Sequence, residues 1–254
     1  MPSTALVVPC YNEEKRLQAE PFLRAAREDP GLRIIFVDDG STDHTADVLR
    51  EICARAPEQL RRIDLARNAG KPEAVRQGML LALSLDVSRV GYWDADLAAP
   101  LTELSALGDA LERPGVELAL GSRVRLMGRS IERSLLRHYS GRVFSTLVSG
   151  VLRLPVYDTQ CGAKLFLRTE RVARVFSQPF LTRWIFDVEI LARLAVQSGG
   201  PAALLATVVE VPLLRWHDVA GSKLRLGAAL GAGLDLLRIA WWIRRQQGRT
   251  APAR

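Results

Sequence analysis

Short apolar runs alternate with longer amphipathic segments along the first half of the chain. The apolar runs predict buried strands at 5–9, 33–37, 60–65, 90–93 and 116–120. The segments between them predict helices at 12–26, 43–56, 71–85 and 100–112. Because strands and helices alternate with short connections, the pattern predicts an α/β fold whose mostly parallel sheet is covered by helices on both faces.

The pattern changes after residue 122. Its later elements are predicted as helices at 143–152, 186–196 and 224–245, strands at 163–167 and 208–211, and a turn at 157–162. We expect one catalytic domain over 1–222, with halves at about 1–122 and 123–222. An amphipathic helix with a basic tail is expected at 223–254.

The composition excludes several classes of protein. With 48% apolar and 25% charged residues, the chain can bury a sizeable core and is not a disordered protein. No run of about 18 uncharged apolar residues occurs, so no membrane span is predicted. The N-terminus lacks the basic region of a signal peptide. The three cysteines have no zinc-binding spacing and favour a reduced, cytosolic compartment.

The net charge of +7 is unevenly distributed. Residues 121–154 contain seven arginines and one glutamate, and five arginines but no acidic residue follow Asp235. Such clusters indicate an anionic partner such as phosphate, nucleic acid or a membrane surface; a solvated arginine-rich surface is the alternative. Only Tyr139 and Phe144 are aromatic in the first cluster, which argues against nucleic acid because its binders stack bases on aromatic rings.

Carboxylates follow three of the predicted strands at their carboxyl ends. They lie in the segments 9–13, 38–43 and 94–96, at the edge where parallel sheets bind ligands. Asp94 and Asp96 stand one residue apart, so both can reach one hard cation, Mg²⁺ or Mn²⁺, that shares its shell with substrate phosphates. Ordinary loop aspartates are the alternative interpretation of this pair.

A second group of polar residues precedes the third predicted helix. Gly70 permits a tight turn, and Lys71 lies near the start of the helix, where phosphate is favoured. The spacing matches neither a P-loop nor a dinucleotide-binding glycine motif. A solvated lysine is the alternative for Lys71. Asp43 is expected to cap the second helix.

Several motifs occur in an order that resembles one enzyme family. The first half holds VPCYNE (8–13), VDDGSTD (37–43), RNAGK (67–71), DAD (94–96) and GSR (121–123). The second half holds DTQCGAKLF (158–166), RWIFDVE (183–189) and GSKL (221–224). Over roughly residues 5–245 the chain resembles glycosyltransferase family 2, which has the GT-A fold. Its polyprenyl-phosphate branch is the most similar, with glucosyl members ahead of mannosyl members.

The resemblance implies a reaction and a set of site residues. A hexose, here glucose from UDP-glucose, would pass with inversion from a nucleoside diphosphate sugar to a dolichyl or undecaprenyl phosphate. The first half of the domain would bind this donor and the second half the acceptor.

The implied nucleoside pocket consists of Pro9, Tyr11, Glu13, Val37 and Asp39. The implied donor-diphosphate residues are Lys71, Asp94, Ala95 and Asp96, with Mg²⁺ or Mn²⁺ held by Asp94 and Asp96. The implied acceptor-phosphate residues are Arg123, Arg137, His217 and Lys223. The implied catalytic residues are Asp94, Asp96, Asp158 and Arg123.

Three alternatives to this reaction stay open. Mannosyl members usually continue the DAD motif with Leu-Gln, whereas this chain has Leu97-Ala98, which favours glucose over mannosyl transfer from GDP-mannose. The same chemistry on a soluble or polysaccharide hydroxyl is the second alternative. A peripheral membrane or nucleic-acid-binding module with a decayed site is the third, and the intact carboxylates and Lys71 argue against it.

A lipid acceptor requires an apolar surface on the protein. The helix at 143–152 has one apolar face, and the segment 226–243 is apolar apart from two charged residues. Trp241 and Trp242 stand beside two arginines, as in segments that insert shallowly at a headgroup interface. The protein is therefore expected to be cytoplasmic and peripheral on the inner face of the cell membrane. Core packing of both helices is the alternative.

Overall fold

The structure, a computed structural model, describes residues 3–132, 135–217 and 226–250; the side chains at 132–140, 226–230 and 247–250 are excepted. The strands in these ranges are β1 Thr4–Cys10, β2 Leu32–Asp38, β3 Leu60–Asp64, β4 Arg89–Trp93, β5 Leu118–Ser122, β6 Ser130–Glu132, β7 Ala163–Leu167, β8 Val208–Pro212 and β9 Arg215–His217. The helices are α1 Ala19–Glu28, α2 Thr45–Ala54, α3 Lys71–Ser84, α4 Leu104–Leu111, α5 Leu135–Leu152, α6 Glu170–Ser177, α7 Phe186–Gln197, α8 Pro201–Leu205 and α9 Leu226–Thr250, with a 3₁₀ turn at Leu101–Glu103.

Seven strands form one sheet in the order β3-β2-β1-β4-β7-β5-β8. All neighbours are parallel except β7, which runs antiparallel to both β4 and β5. The short strands β6 and β9 pair separately and in parallel. The expected α/β fold with a mostly parallel sheet is therefore confirmed.

Helices cover both faces of the sheet and create two cores. Along β1, Ala5 and Val7 enter the core beneath α3, α5, α6, α7 and α9, whereas Leu6 and Val8 enter the core beneath α1, α2 and α4. A strand that is buried on both faces needs apolar residues at successive positions. This is the physical reason why the strands read as continuous apolar runs in the sequence.

The predicted helix at 12–26 is wrong in its first half. Residues 12–18 form a loop, and α1 begins only at Ala19. The backbone N–H groups of Glu13 and Glu14 donate to Thr45 Oγ1 and Asp43 Oδ2, at 2.8 and 3.3 Å. These bonds tie the loop after β1 to the loop after β2, so the start of a helix is replaced by tertiary contacts. Asp43 also accepts from Thr45 N at 3.0 Å, and it therefore joins two loops as well as supporting the start of α2.

The elements at the end of the chain are longer or more numerous than the sequence predicts. The structure extends the helix predicted at 143–152 back to Leu135, and the last helix runs to Thr250. The strands β6 and β9 and the helices α6 and α8 were not predicted, because short elements hold too little periodicity. All three cysteines are free thiols. Within the described ranges, no helix combines the length and the apolarity that crossing a bilayer requires.

Candidate active site

The carboxyl ends of β1, β2 and β4 lie side by side and form the candidate site. β1 pairs in parallel with β2 on one side and with β4 on the other. Asn12 N donates to Ser41 Oγ at 3.0 Å, and Asn12 Oδ1 accepts from Thr42 N at 2.9 Å. These bonds hold Asn12 at a φ of 53°, in the left-handed region that non-glycine residues seldom occupy. The three acidic segments are therefore neighbours at one edge of the sheet.

Asp39 supports the loop that leads into α3. It is 2% exposed, and its two carboxylate oxygens accept from Ala69 N and Gly70 N, each at 2.8 Å. Burial raises the pKa of Asp39, although the two N–H donors and the charge of Arg183 oppose the rise. Gly70 takes a φ of 95°, which glycine adopts without strain. Asp39 thus shapes the wall of the predicted nucleoside pocket, and its direct bond to a base or ribose stays a prediction.

An ion pair joins the start of α3 to the end of β4. Lys71 Nζ lies 2.5 Å from Asp94 Oδ1, and both side chains are partly exposed. Burial is the largest single influence and favours the neutral form of each group, but the partner's charge and hydrogen bond, together with other nearby charges, outweigh it. The pKa of Lys71 is therefore raised, with help from Asp187, and the pKa of Asp94 is lowered. Lys71 is held at the carboxylate edge and is not simply solvated.

Asp96 makes no ion pair within the described part of the chain. Its Oδ1 accepts from Ala98 N at 3.1 Å. Burial raises the pKa of Asp96, and the neighbouring Asp94 carboxylate raises it further. Leu97, which follows Asp96 directly, takes a φ of 50° and so turns the chain sharply before Ala98. Asp96 is thus the carboxylate of this pair whose ionised form an added cation would stabilise.

Gly162 leaves the space that the Asp94 side chain occupies. A Cβ on residue 162 would lie 1.9 Å from Asp94 Oδ2 and 2.1 Å from Asp94 Cγ. The carbonyl of Gly162 also accepts from Asp94 N at 3.0 Å. Glycine is required here for room rather than for backbone conformation. Any larger residue would displace the carboxylate.

The donor atoms of the site suit a hard divalent cation without enclosing one. Within the described ranges, no cluster of three or more His, Cys, Asp or Glu side chains is arranged to hold a metal. Asp94 and Asp96 nevertheless supply the carboxylate oxygens that Mg²⁺ and Mn²⁺ prefer. Burial raises the pKa of Asp96 although the charges of Lys71 and Arg16 oppose the rise, so a cation close to this carboxylate would stabilise its ionised form. The residues therefore fit a cation that takes its other ligands from a bound phosphate and water.

Glu13 has a buried carboxylate oxygen that is unpartnered within the described residues. Its Oε1 accepts from Arg16 Nη2 at 2.6 Å, whereas Oε2 is buried and makes no hydrogen bond there. Burial raises the pKa of Glu13 in spite of Arg16, and Asp96 adds to the rise. Buried polar atoms in native proteins are usually satisfied. A bound ligand would satisfy this one.

The other residues predicted for the donor pocket differ in exposure. Tyr11 is 43% exposed and Pro9 is partly exposed, whereas Ala95 is buried. Val37 is fully buried, and a Cβ on Gly78 of α3 would lie 2.9 Å from its Cγ2. The Val37 side chain packs against α3 and contributes no surface to the pocket.

Arg123 and Asp158 form a bidentate ion pair beside this edge. Arg123 Nε lies 2.6 Å from Asp158 Oδ2, and Nη2 lies 2.7 Å from Oδ1. Burial favours a lower pKa for Arg123, but Asp158 raises it above the usual range. The Trp216 ring lies under the guanidinium at 5.3 Å, and Glu210 accepts from Asp158 N at 2.7 Å. Asp158 therefore anchors Arg123, and its oxygens also accept from Gln160 N in the turn.

The structure places one more residue predicted to face the acceptor phosphate. His217 ends β9 and is exposed, and its backbone N donates to Ala98 O at 2.9 Å. This bond brings β9 beside the loop that follows Asp96. The side chain of Arg137 and the whole of Lys223 lie outside the described residues. The phosphate contacts of all three stay predictions.

Sequence reasoning missed a buried charge network near Asp94. Lys164 Nζ lies 2.6 Å from Asp187 Oδ1, and the Tyr92 hydroxyl donates to the same oxygen at 2.5 Å. Lys164 and Asp187 act electrostatically on Asp94 and Lys71, respectively. A lysine inside the apolar strand AKLFL was the available sign. Its partner could not be identified, because Asp187 is distant in sequence.

The chain is similar along nearly its whole length to known proteins. Residues 5–170 match the family described as Glycosyl transferase family 2. The chain is 32% identical over 254 residues to the dolichyl-phosphate beta-glucosyltransferase ALG5C of Trichomonas vaginalis, covering 95% of this chain and 72% of that protein. It is 34% identical over 263 residues to the dolichyl-phosphate beta-glucosyltransferase of Saccharomyces cerevisiae, covering 93% and 74%.

The fold also matches solved structures. One is the crystal structure of glucosyl-3-phosphoglycerate synthase from Mycobacterium tuberculosis in complex with Mn²⁺, UDP-glucose and phosphoglyceric acid. The TM-score is 0.65 over 94% of this chain and 80% of that chain, at 19% identity. This likeness concerns the fold alone, and it confirms the expected GT-A architecture.

Proposed function

Because the chain belongs to glycosyl transferase family 2, we propose that it transfers glucose from UDP-glucose to a polyprenyl phosphate. The observation that carries the proposal is the arrangement of Lys71, Asp94 and Asp96 at the carboxyl edge of the sheet. It occurs in a chain that is 32–34% identical to proteins named dolichyl-phosphate beta-glucosyltransferases. Those relatives support the choice of glucose and of a lipid phosphate.

On the donor side, the charges of the site would act on the diphosphate. Asp94 and Asp96 would hold Mg²⁺ or Mn²⁺, which when bound offsets negative charge on the departing nucleoside diphosphate. Lys71 has a raised pKa and is protonated at neutral pH, so it adds a fixed positive charge at the same edge. Gly162 keeps Asp94 in place by leaving room for its carboxylate.

On the acceptor side, positioning would replace proton abstraction. A lipid monophosphate is already anionic at neutral pH, so its oxygen can attack the anomeric carbon without a strong base. Both oxygens of Asp158 accept from Arg123, which suits an anchoring residue better than a base. Arg123 Nη1 makes no hydrogen bond within the described ranges, and this donor would face the acceptor phosphate.

The first prediction concerns substrates. With extracted or synthetic polyprenyl phosphate, UDP-glucose should be a much better donor than GDP-mannose, and a chelator should stop transfer until Mg²⁺ or Mn²⁺ is restored. The measurement is radiolabelled sugar recovered in the lipid phase, with the unphosphorylated polyprenol as the matched control acceptor. Transfer only to soluble hydroxyl acceptors, or only from GDP-mannose, would contradict the proposal.

The membrane-facing surface would be the exposed side of α9. Ala232, Leu236 and Ile239 are buried in the core, which fixes one side of the helix against the protein. On the other side, Leu234, Leu237 and Trp241 are all at least 60% exposed, and the Arg245 guanidinium lies 5.2 Å from the centre of the Trp241 ring. Apolar side chains beside basic ones suit the surface of an anionic bilayer.

The second prediction separates the two tryptophans of α9. Trp241 is 61% exposed, whereas Trp242 is partly buried and packs against the core. Trp241→Ala should weaken sedimentation with anionic vesicles and leave the unfolding temperature unchanged. Trp242→Ala should lower the unfolding temperature, because it removes core contacts. Unchanged vesicle binding by Trp241→Ala would refute this membrane-facing surface.

A further inference from the structure

An arginine that makes no ion pair within the described residues stands beside the donor edge. Arg183 lies between α6 and α7, and its Nη2 and Nε would be 3.3 and 3.4 Å from a Cβ on Gly70. It is exposed, and it makes no hydrogen bond or ion pair within the described part of the chain. Lys71 and Arg123, by contrast, each form an ion pair, with Asp94 and Asp158. Arg183 acts on Asp39 only at longer range, so its guanidinium hydrogen atoms are not taken up by a carboxylate of the described residues.

The loop that carries Arg183 is held by a buried ion pair. Glu189 is fully buried and accepts from Leu181 N at 2.9 Å and from Thr182 N at 3.1 Å. Arg193, one helical turn later, lies 2.7 Å from Glu189. Its guanidinium donates to the carbonyl oxygens of Val175, Gln178 and Pro179. Glu189 and Arg193 thus bind the main chain on both sides of residue 180. They fix the direction of the loop between residue 180 and Arg183.

The position of Arg183 indicates which group it meets. Its charge acts on Asp39, on the nucleoside side, and it borders Gly70, which directly precedes Lys71. Arg183 therefore borders the segment that joins the wall of the predicted nucleoside pocket, at Asp39 and Gly70, to Lys71. A donor that spans these two places has its diphosphate between them. A guanidinium is the side chain best suited to bind phosphate oxygens through two parallel hydrogen bonds.

We propose that Arg183 binds the diphosphate of the donor, and that Glu189 and Arg193 are positioning residues that hold Arg183 over Gly70. The inference rests on the proposed function, because it takes a nucleoside diphosphate sugar as the donor. It adds a binding residue from the second half of the chain to a pocket whose other members come from the first half. The binding residues of the pocket would then be positioned by α7 as well as by the loops after β1, β2 and β4.

The test is the affinity of the purified full-length protein for UDP and for uridine, by calorimetry with Mn²⁺ present. Arg183→Ala should weaken UDP binding about 10- to 100-fold, the loss expected for hydrogen bonds to a charged group. Uridine binding should not change. Arg183→Lys should recover part of the UDP affinity, because it keeps the charge but loses the paired geometry. Arg174→Ala is the matched control, since this exposed arginine of α6 forms an ion pair with Glu170 and with no other described residue.

The positioning role is tested by a double-variant cycle. Glu189→Gln should weaken UDP binding when Arg183 is present and add little when Arg183 is already alanine. If the losses of UDP affinity in the two single variants add up fully in the double variant, the positioning role is overturned. If Glu189→Gln does not fold, Arg193→Lys takes its place in the same double-variant cycle. Unchanged UDP affinity in Arg183→Ala, or an equal loss for uridine, would overturn the diphosphate contact. A wild-type protein that does not bind UDP would overturn the proposed function itself, and the inference with it.

Discussion

Asp96→Asn is expected to reduce sugar transfer by about 10²- to 10³-fold or more without destabilising the fold. The amide keeps the size of the side chain, but a neutral group binds a hard divalent cation poorly. Burial and the neighbouring Asp94 raise the pKa of Asp96, so its ionised form opposes folding in the metal-free protein. The variant should therefore be at least as stable as the wild type at neutral pH.

The sign of this stability difference depends on pH in a defined way. The pKa of Asp96 is higher in the folded chain than in the unfolded chain. The gain in the free energy of unfolding that Asp96→Asn brings should be complete above the folded-state pKa. It should disappear as pH falls from that value towards the unfolded-state pKa, because the wild-type carboxyl becomes protonated. Denaturant unfolding of both proteins without divalent metal, at a series of pH values, measures this difference.

Asp94→Asn is the matched control and should behave oppositely in stability. It should also lose activity. The pKa of Asp94 is lowered because Lys71, Lys164 and Arg123 together outweigh burial, so the charge of Asp94 supports the fold above the unfolded-state pKa. Removing it leaves Lys71 without its partner and should lower the free energy of unfolding at neutral pH by up to about 1 kcal/mol, since the pair is partly exposed. Equal stability changes in the two variants would contradict this account of the site.

Lys164→Met is expected to lower the free energy of unfolding by about 3–5 kcal/mol. Lys164 is 1% exposed and pairs with Asp187 at 2.6 Å, so the substitution leaves a buried carboxylate without its counter-charge. The double variant Lys164→Met, Asp187→Leu should recover a large part of the loss, because it removes both charges. Chemical denaturation monitored by tryptophan fluorescence measures both differences.

A surface ion pair provides the comparison for that result. Arg50 and Asp47 pair on α2 with both side chains more than half exposed. Arg50→Met should change the free energy of unfolding by no more than about 0.5 kcal/mol. A Lys164→Met variant as stable as Arg50→Met would show that the buried pair does not support the fold.

The location of the site followed from sequence because parallel strands end at one edge. The acidic segments at 9–13, 38–43 and 94–96 each follow an apolar run, and the register of β2, β1 and β4 brings them together. The boundary of the first helix did not follow from sequence. Periodicity favoured a start at Asn12, but backbone hydrogen bonds to Ser41, Asp43 and Thr45 replaced the first turns.

The roles of single charges depended on partners that are distant along the chain. Asp39 was expected to face a nucleoside, and in the structure its oxygens bind the N–H groups of Ala69 and Gly70. The resemblance implied a catalytic role for Asp158, and in the structure Asp158 anchors Arg123, 35 residues before it. Spacing in the sequence carries no information about such pairs, because each is made by two loops from different strands.

The fold class, the edge with the carboxylates and the family could all be predicted from the sequence, because they depend on periodicity along single elements and on the order of short motifs. The tertiary structure alone decided which charges are neutralised and which remain available. Lys164 is paired with Asp187 inside the core, whereas Arg183 makes no ion pair within the described residues. It also decided that Trp242 packs against the core while Trp241 is exposed. Neighbouring residues of a helix point about 100° apart, so only the packing of the helix fixes which of the two faces the core. The role of each charged or aromatic side chain depends on the residue that it contacts, and that residue is brought next to it by the tertiary fold because the two are distant in the sequence.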